Sequence, residues 1–250
     1  MLEGVVKELG YQYALHNRLH FYRYLDTITA FISLGLPERS SVLDIGCGYG
    51  HICLAIKRLG HEVSGLDVDV QGAKRLPPHG IEFHLCNVET SVIPYGNERF
   101  DCILLAETIE HLDPRNLKHV LSEICRVLKP SGVLIITTPN AASIQNLIRS
   151  SLGMKILLSP DHVREYALSG LSRVLQGSGF SIIYHRFILS YDRIKGSTRE
   201  SRSNDSTQPI ESTLRTLGIT AAKTVLYPIK LVFPHYRSLI LVLLKKTETE

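Results

Sequence analysis

Short apolar runs alternate with amphipathic stretches through the first half of the chain. Runs at 41–45, 62–66, 82–85, 101–105 and 133–137 are rich in Val, Ile and Leu and nearly continuous in hydrophobicity. That is the pattern of strands buried on both faces of a sheet. Between them, 51–59, 70–76 and 114–128 carry apolar residues at helical spacing. Pro114 falls at a helix start, where its missing N–H costs nothing. Lys129-Pro130-Ser131-Gly132 is expected to close that helix in a turn before the next strand. Strands and helices in alternation predict a parallel sheet covered by helices on both faces.

Outside this alternation the pattern is looser. Residues 11–34 read as one or two helices crowded with Tyr11, Tyr13, His16, His20, Phe21, Tyr22 and Tyr24, and ended by Pro37. After Pro139 a helix returns at 166–176, and Gly177-Ser178-Gly179 leads into a strand at 180–184. A polar loop is expected at 196–215, an apolar helix at 221–233 with Lys223 and Lys230 beside it, and a last strand at 238–244. The apolar helix would suit packing on the sheet, a contact between subunits, or a lipid surface. The organisation that follows is an N-terminal helical cap at 1–40 and a core at 41–195. The loop at 196–215 then separates that core from a C-terminal helix and last strand at 216–250, which complete it.

Composition narrows the class. A chain of 250 residues with 44% hydrophobic and 21% charged positions suits one soluble α/β domain with additions. A net charge of +4 is too small to point to nucleic acid. No apolar run approaches the roughly 20 residues of a membrane-spanning helix, and Glu3, Lys7 and Glu8 are unlike a secretory leader. The expectation is a cytoplasmic protein with at most peripheral membrane contact. Cys47, Cys53, Cys86, Cys102 and Cys125 form no CxxC pair and read as small buried hydrophobes of a reducing compartment.

The chemistry is concentrated in Val42-Leu43-Asp44-Ile45-Gly46-Cys47-Gly48-Tyr49-Gly50, followed at once by the helical pattern from His51. A strand, a tight glycine turn and a helix start form a turn that a ligand can approach closely. His51 stands where a dinucleotide fingerprint needs its third glycine, which argues against a nicotinamide oxidoreductase. Asp67, at the end of the second strand, suits vicinal ribose hydroxyls. Asn87-Val88 follows the third strand, and the fourth leads into Ala106-Glu107-Thr108-Ile109-Glu110-His111. His111 is a natural general base, since imidazole titrates near working pH.

With Asp44 two residues before the first glycine, the turn resembles the first motif of class I S-adenosylmethionine-dependent methyltransferases. The resemblance runs from about 41 to 184. It includes Asp67, Phe100-Asp101, Glu110-His111, the segment from Arg126 to Gly132, Thr137-Thr138-Pro139-Asn140, His162 and Gly179-Phe180. It implies a three-layer Rossmann-like fold, with a mostly parallel seven-stranded sheet and an antiparallel last strand. It also implies S-adenosyl-L-methionine held by Asp44, Gly46, Cys47, Gly48, Gly50, Asp67, Val68, Asn87, Val88 and Ala106, with Asn87 and Val88 against the adenine.

Catalysis is expected at His111 and Glu107, acting on a hydroxyl, amine or carboxylate of a small or lipid- or glycan-linked molecule. No metal is assigned. The Glu107-x-x-Glu110-His111 pattern with His162 is nevertheless similar to the metal-binding segment of two groups, and keeps a metal-assisted alternative open. They are the ubiquinone-pathway O-methyltransferases and the small-RNA 3′-terminal 2′-O-methyltransferases. A non-catalytic cofactor-binding module is the remaining alternative.

Overall fold

A computed structural model describes residues 18–153, 156, 159–188 and 239–247. Its elements in chain order are α1 (Arg18–Ser33), β1 (Ser41–Ile45), α2 (His51–Arg58), β2 (Glu62–Asp67), α3 (Gln71–Arg75), β3 (Glu82–Leu85), β4 (Phe100–Ala106), α4 (Leu117–Val127), β5 (Leu128–Pro139), α5 (Ile144–Ser151), α6 (Leu168–Gln176), β6 (Phe180–Ile188) and β7 (Leu239–Lys246). Short 3₁₀ turns lie at Pro77–His79 and Ile109–His111.

The strands form one sheet in the order β3-β2-β1-β4-β5-β7-β6. β1 to β5 pair in parallel, and β7 runs antiparallel to both β5 and β6. This is the expected Rossmann-like sheet with its antiparallel last strand. The order reverses at β1, so β1 and β4 leave a crevice between their C-terminal ends, the usual ligand position in open α/β sheets.

Alternation along each strand divides the core in two. Leu43, Ile45, Ile103 and Leu105 face Leu121, Ile124 and Leu171 of α4 and α6. Val42, Cys102 and Leu104 face Ile28 and Phe31 of α1 and Ile52 and Ile56 of α2. Asp44, two residues from Val42, is therefore directed to the α2 side.

Several boundaries differ from expectation. The segment Lys129-Pro130-Ser131-Gly132 is extended, not a helix-closing turn: α4 stops at Val127 and β5 begins at Leu128. Leu128 is fully buried and pairs with Phe100, and the ladder resumes only at Cys102 opposite Val133. Lys129 is also barred from helical backbone by the proline that follows it. Pro114 lies in a turn before α4 and not at its first position, because Asp113 Oδ1 takes the Arg115 N–H and holds a local turn there. Tyr166 makes an isolated bridge with Asn140, so the helix expected from 166 begins at Leu168. Helix α5 was not expected. Ser143 caps it by accepting the Asn146 N–H. The loop at 196–215, the apolar segment at 221–233 and the aromatic residues before Arg18 lie outside the described residues.

Candidate active site

The glycine turn is held by backbone bonds to the neighbouring strand. Gly46 and Cys47 N–H groups donate to the Leu66 carbonyl at 2.8 and 3.1 Å, and Gly50 N–H donates to Cys47 O at 2.8 Å. All three glycines of the turn have positive φ. Asp67 closes it from β2: Oδ2 accepts the Gly48 N–H at 2.6 Å and Oδ1 the Asp69 N–H at 2.8 Å. Each oxygen keeps a second lone pair for a hydroxyl donor. Val68, beside Asp67, is 67% exposed. Asn87 folds into a turn in which Oδ1 accepts the Glu89 N–H, while Val88 is buried beside it.

Asp44 lies beneath the turn, buried, and accepts a hydrogen bond from Cys53 Sγ at 3.2 Å. Burial pushes its carboxyl up to about 7, against the lowering effect of the Cys53 bond. His51, at the first position of α2, is held neutral: burial, and then the Arg75 guanidinium, bring it down to about 3.

Beyond β4 the chain makes the floor of the crevice. Thr108 Oγ1 lies 3.2 Å from Ile45 O and 3.1 Å from Ala106 O, tying the ends of β1 and β4 together. Glu107 is a non-glycine residue with φ +53°, a conformation retained only where surrounding contacts enforce it. One enforcing contact is Arg23 of α1, whose Nη1 lies 2.7 Å from Glu107 Oε2, with side chains 9% and 12% exposed.

Three further side chains converge. Glu110 is fully buried and its Oε2 accepts from Thr138 Oγ1 at 3.0 Å, whereas Oε1 has no hydrogen-bond partner. Burial, reinforced by the nearby Glu107 carboxylate, holds the Glu110 carboxyl well above the usual range. The Glu110 carbonyl accepts the Val163 and Arg164 N–H groups, which draws the loop carrying His162 onto the floor. The His111 and His162 rings then meet edge to face, centroids 4.9 Å apart.

His111 Nδ1 lies 3.1 Å from Asp161 O and His162 Nδ1 3.0 Å from Glu165 Oε1. A ring nitrogen facing an oxygen acceptor carries a proton, so in the neutral ring Nε2 is the nitrogen left with a lone pair. Ligand atoms of Glu110, His111 and His162 all lie within 4.8 Å of one another. Glu165 is fixed in turn by Asn146 Nδ2 at 3.0 Å.

Residues 15–185 match the family model of the methyltransferase domain. The chain belongs to that family. This methyltransferase domain is 30% identical over 155 residues to the mitochondrial ubiquinone biosynthesis O-methyltransferase of Homo sapiens, covering 56% of the chain and 41% of that protein. It spans less than half the length of the curated relatives it matches first. The fold superposes with a TM-score of 0.60 on a SAM-dependent methyltransferase from Archaeoglobus fulgidus, at 20% identity, covering 90% of this chain and 94% of that one. It also superposes, at 0.56 and 16% identity, on the Burkholderia thailandensis 1,6-didemethyltoxoflavin-N1-methyltransferase, whose structure holds S-adenosylhomocysteine; 89% of this chain and 76% of that one are covered.

S-adenosylmethionine is the cofactor of the methyltransferase domain, and the crevice fits it. A Cβ added at Gly48 would meet nothing within 4 Å, so the turn is open on that side. The Asp67 carboxylate stands at its edge.

The pattern Glu107, Glu110, His111 and His162 is split by the fold. The last three gather, while Glu107 turns to Arg23. Sequence reasoning missed Arg23, Thr138, Asn146 and Glu165. Arg23 lies in the segment read only as aromatic; Thr138 was named only within the Thr137-Thr138-Pro139-Asn140 motif, and Glu165, beside His162, was given no role. Asn146 belongs to α5, a helix of only eight residues.

Proposed function

We propose that this protein transfers the methyl group of S-adenosylmethionine to a hydroxyl oxygen of a small or lipid- or glycan-linked molecule, with His111 as general base. The observation that carries the reading is the His111 Nδ1 contact with Asp161 O at 3.1 Å, which in the neutral ring leaves Nε2 as the nitrogen that accepts a proton. The O-methyltransferase names of the relatives support oxygen over nitrogen as the acceptor.

When bound, S-adenosylmethionine supplies an electrophilic methyl on a sulfonium; the protein supplies position and a base. Asp67 would accept the ribose hydroxyls, with Val68 and Val88 beside the adenine and Asn87 at its edge. Gly46, Cys47, Gly48 and Gly50, with Asp44 beneath, would hold the methionyl end against the backbone at Ala106. His111 Nε2 takes the hydroxyl proton as the oxygen attacks. Glu107 acts through Arg23, fixing α1 against the floor.

One observation favours a second reading, a divalent cation on Glu110, His111 and His162. Glu110 Oε1 is buried without a partner, and both imidazoles have their far nitrogens anchored, His162 by a carboxylate as metal-ligating histidines commonly are. Such an ion would make a substrate hydroxyl more acidic and displace the Glu110 proton.

The test is release of S-adenosylhomocysteine from a panel of phenol, sugar and lipid-alcohol acceptors. His111→Ala should lower the rate about 10²–10⁴-fold with cofactor affinity little changed. Near-normal turnover by that variant defeats the base. Loss of turnover on chelation, restored by Mg²⁺ or Mn²⁺, selects the metal reading, and chelator-insensitive turnover eliminates it.

A further inference from the structure

Cys47 and Cys53 look unrelated in sequence but meet beneath the cofactor turn. Cys47 lies between the first two glycines of the turn, and Cys53 lies in the first turn of α2. Both are free thiols, Cys47 partly exposed and Cys53 buried. They meet at Gly65 in the interior of β2, where a side chain would be expected in a buried strand. A Cβ built at Gly65 would lie 2.9 Å from Cys47 Sγ and 3.5 Å from Cys53 Sγ. A glycine within a strand marks a close approach, and here both sulfurs approach it, together with Leu76 Cδ1 at 3.0 Å. Cys53 Sγ donates to Asp44 Oδ2 at 3.2 Å. The turn, the two thiols and the buried acid thus lie together against Gly65.

We propose that Cys47 and Cys53 form a reversible disulfide on exposure to hydrogen peroxide, and that this bond weakens cofactor binding. The proposal rests on the cofactor assignment for its consequence and on the sulfur geometry alone for the bond.

The chemistry balances with one peroxide. Cys47, the thiol open to solvent, attacks the peroxide as thiolate; the O–O bond breaks, giving a sulfenic acid and one water. Cys53 sulfur then attacks the Cys47 sulfur, the S–O bond breaks, and the hydroxyl leaves with the Cys53 thiol proton as a second water. Two thiols are oxidised and one peroxide is reduced. Cys53 suits the second step by position: it is buried away from the peroxide, and its thiol proton passes to the leaving hydroxyl as its sulfur attacks.

The consequence follows from what each sulfur holds. A disulfide draws the sulfurs closer than non-bonded contact, and so moves Cys47, whose N–H is bonded to Leu66 O at 3.1 Å. It also removes the S–H donor to Asp44, leaving a buried carboxyl without that bond. Both changes act on the surface that carries the cofactor. By linkage, bound cofactor must oppose disulfide formation by the same factor.

Purified protein treated with hydrogen peroxide, alkylated and digested with trypsin reads the bond directly. Cys47 and Cys53 share the tryptic peptide 40–57, and the other three cysteines fall on separate peptides. Peptide 40–57 should become lighter by two hydrogens and escape alkylation, more slowly when S-adenosylhomocysteine is present. Calorimetry with S-adenosylhomocysteine should show affinity weakened about tenfold or more and restored by dithiothreitol. Cys53→Ser, which cannot form the bond, should bind S-adenosylhomocysteine equally with and without peroxide.

Peptide 40–57 unchanged in mass overturns the bond. A disulfide with unaltered affinity overturns the switch, and equal weakening of Cys53→Ser by peroxide overturns the pairing. The mass readout needs no cofactor, so a failure of reduced protein to bind S-adenosylhomocysteine would defeat the cofactor assignment and not the pair.

Discussion

Two glycines of the turn, equivalent in sequence, are expected to fail in different ways when given a methyl group. Gly50 has φ +73°, and a Cβ there would lie 2.2 Å from Leu76 Cδ2 and 2.8 Å from Leu76 Cγ. Leu76 is fully buried, so its retreat would disturb the core around it. Gly50→Ala therefore combines the left-handed backbone cost of roughly 1–2 kcal/mol with about 1–3 kcal/mol of overpacking. The sum is about 2–5 kcal/mol, a large share of a typical domain's stability.

Gly48 has φ +50° but open space around its Cβ. Gly48→Ala should cost only the backbone part, about 1–2 kcal/mol. Its methyl instead enters the space reserved for the ligand, so cofactor affinity should collapse while the fold persists. Urea unfolding followed by circular dichroism gives the stabilities, and calorimetry with S-adenosylhomocysteine gives the affinities. A double-mutant cycle isolates the contact: Leu76→Ala alone should cost about 2–5 kcal/mol. Combined with Gly50→Ala it should cost less than the sum by about 1–3 kcal/mol. Equal destabilisation by the two alanines, or strict additivity with Leu76→Ala, would refute the packing argument. Undiminished affinity in Gly48→Ala would refute the ligand position.

Two other groups give independent tests. Asp44 has a folded-state value of about 7, raised from 3.8. Its contribution to stability is therefore fully present below pH ~4 and lost as pH rises through ~7. Unfolding free energy of the cofactor-free protein should carry that downward segment, and Asp44→Asn should lack it; identical pH profiles would count against the buried acid. Arg23 and Glu107 are a buried pair, so Arg23→Met should cost about 3–5 kcal/mol by leaving a carboxylate without its cation. Adding Glu107→Gln should recover most of that loss in the same urea assay; a double variant as unstable as the sum of both would show that the pair does not couple.

The sequence by itself determined what local periodicity encodes. Alternation of apolar runs with amphipathic stretches specified the parallel strands and the helices over them, because each element's burial is written in its own side-chain spacing. The glycine turn with Asp44 and Asp67 was legible for the same reason: backbone turning, strand ends and acid positions are local properties. The segment 129–132 was misread because the turn-forming residues there are outweighed by Leu128, whose burial against Phe100 commits the chain to the sheet.

What only the tertiary structure decided are the pairings between distant residues. Arg23 reaches Glu107 across 84 positions, and the Glu110 carbonyl gathers the His162 loop beside His111. Cys47 and Cys53 meet because β2 offers them Gly65. Each of these contacts depends on how whole elements stack, a sum of many weak packing terms that no window of sequence contains. The buried carboxyls of Asp44 and Glu110 owe their raised values to that same stacking, since desolvation is a property of surroundings and not of residue type.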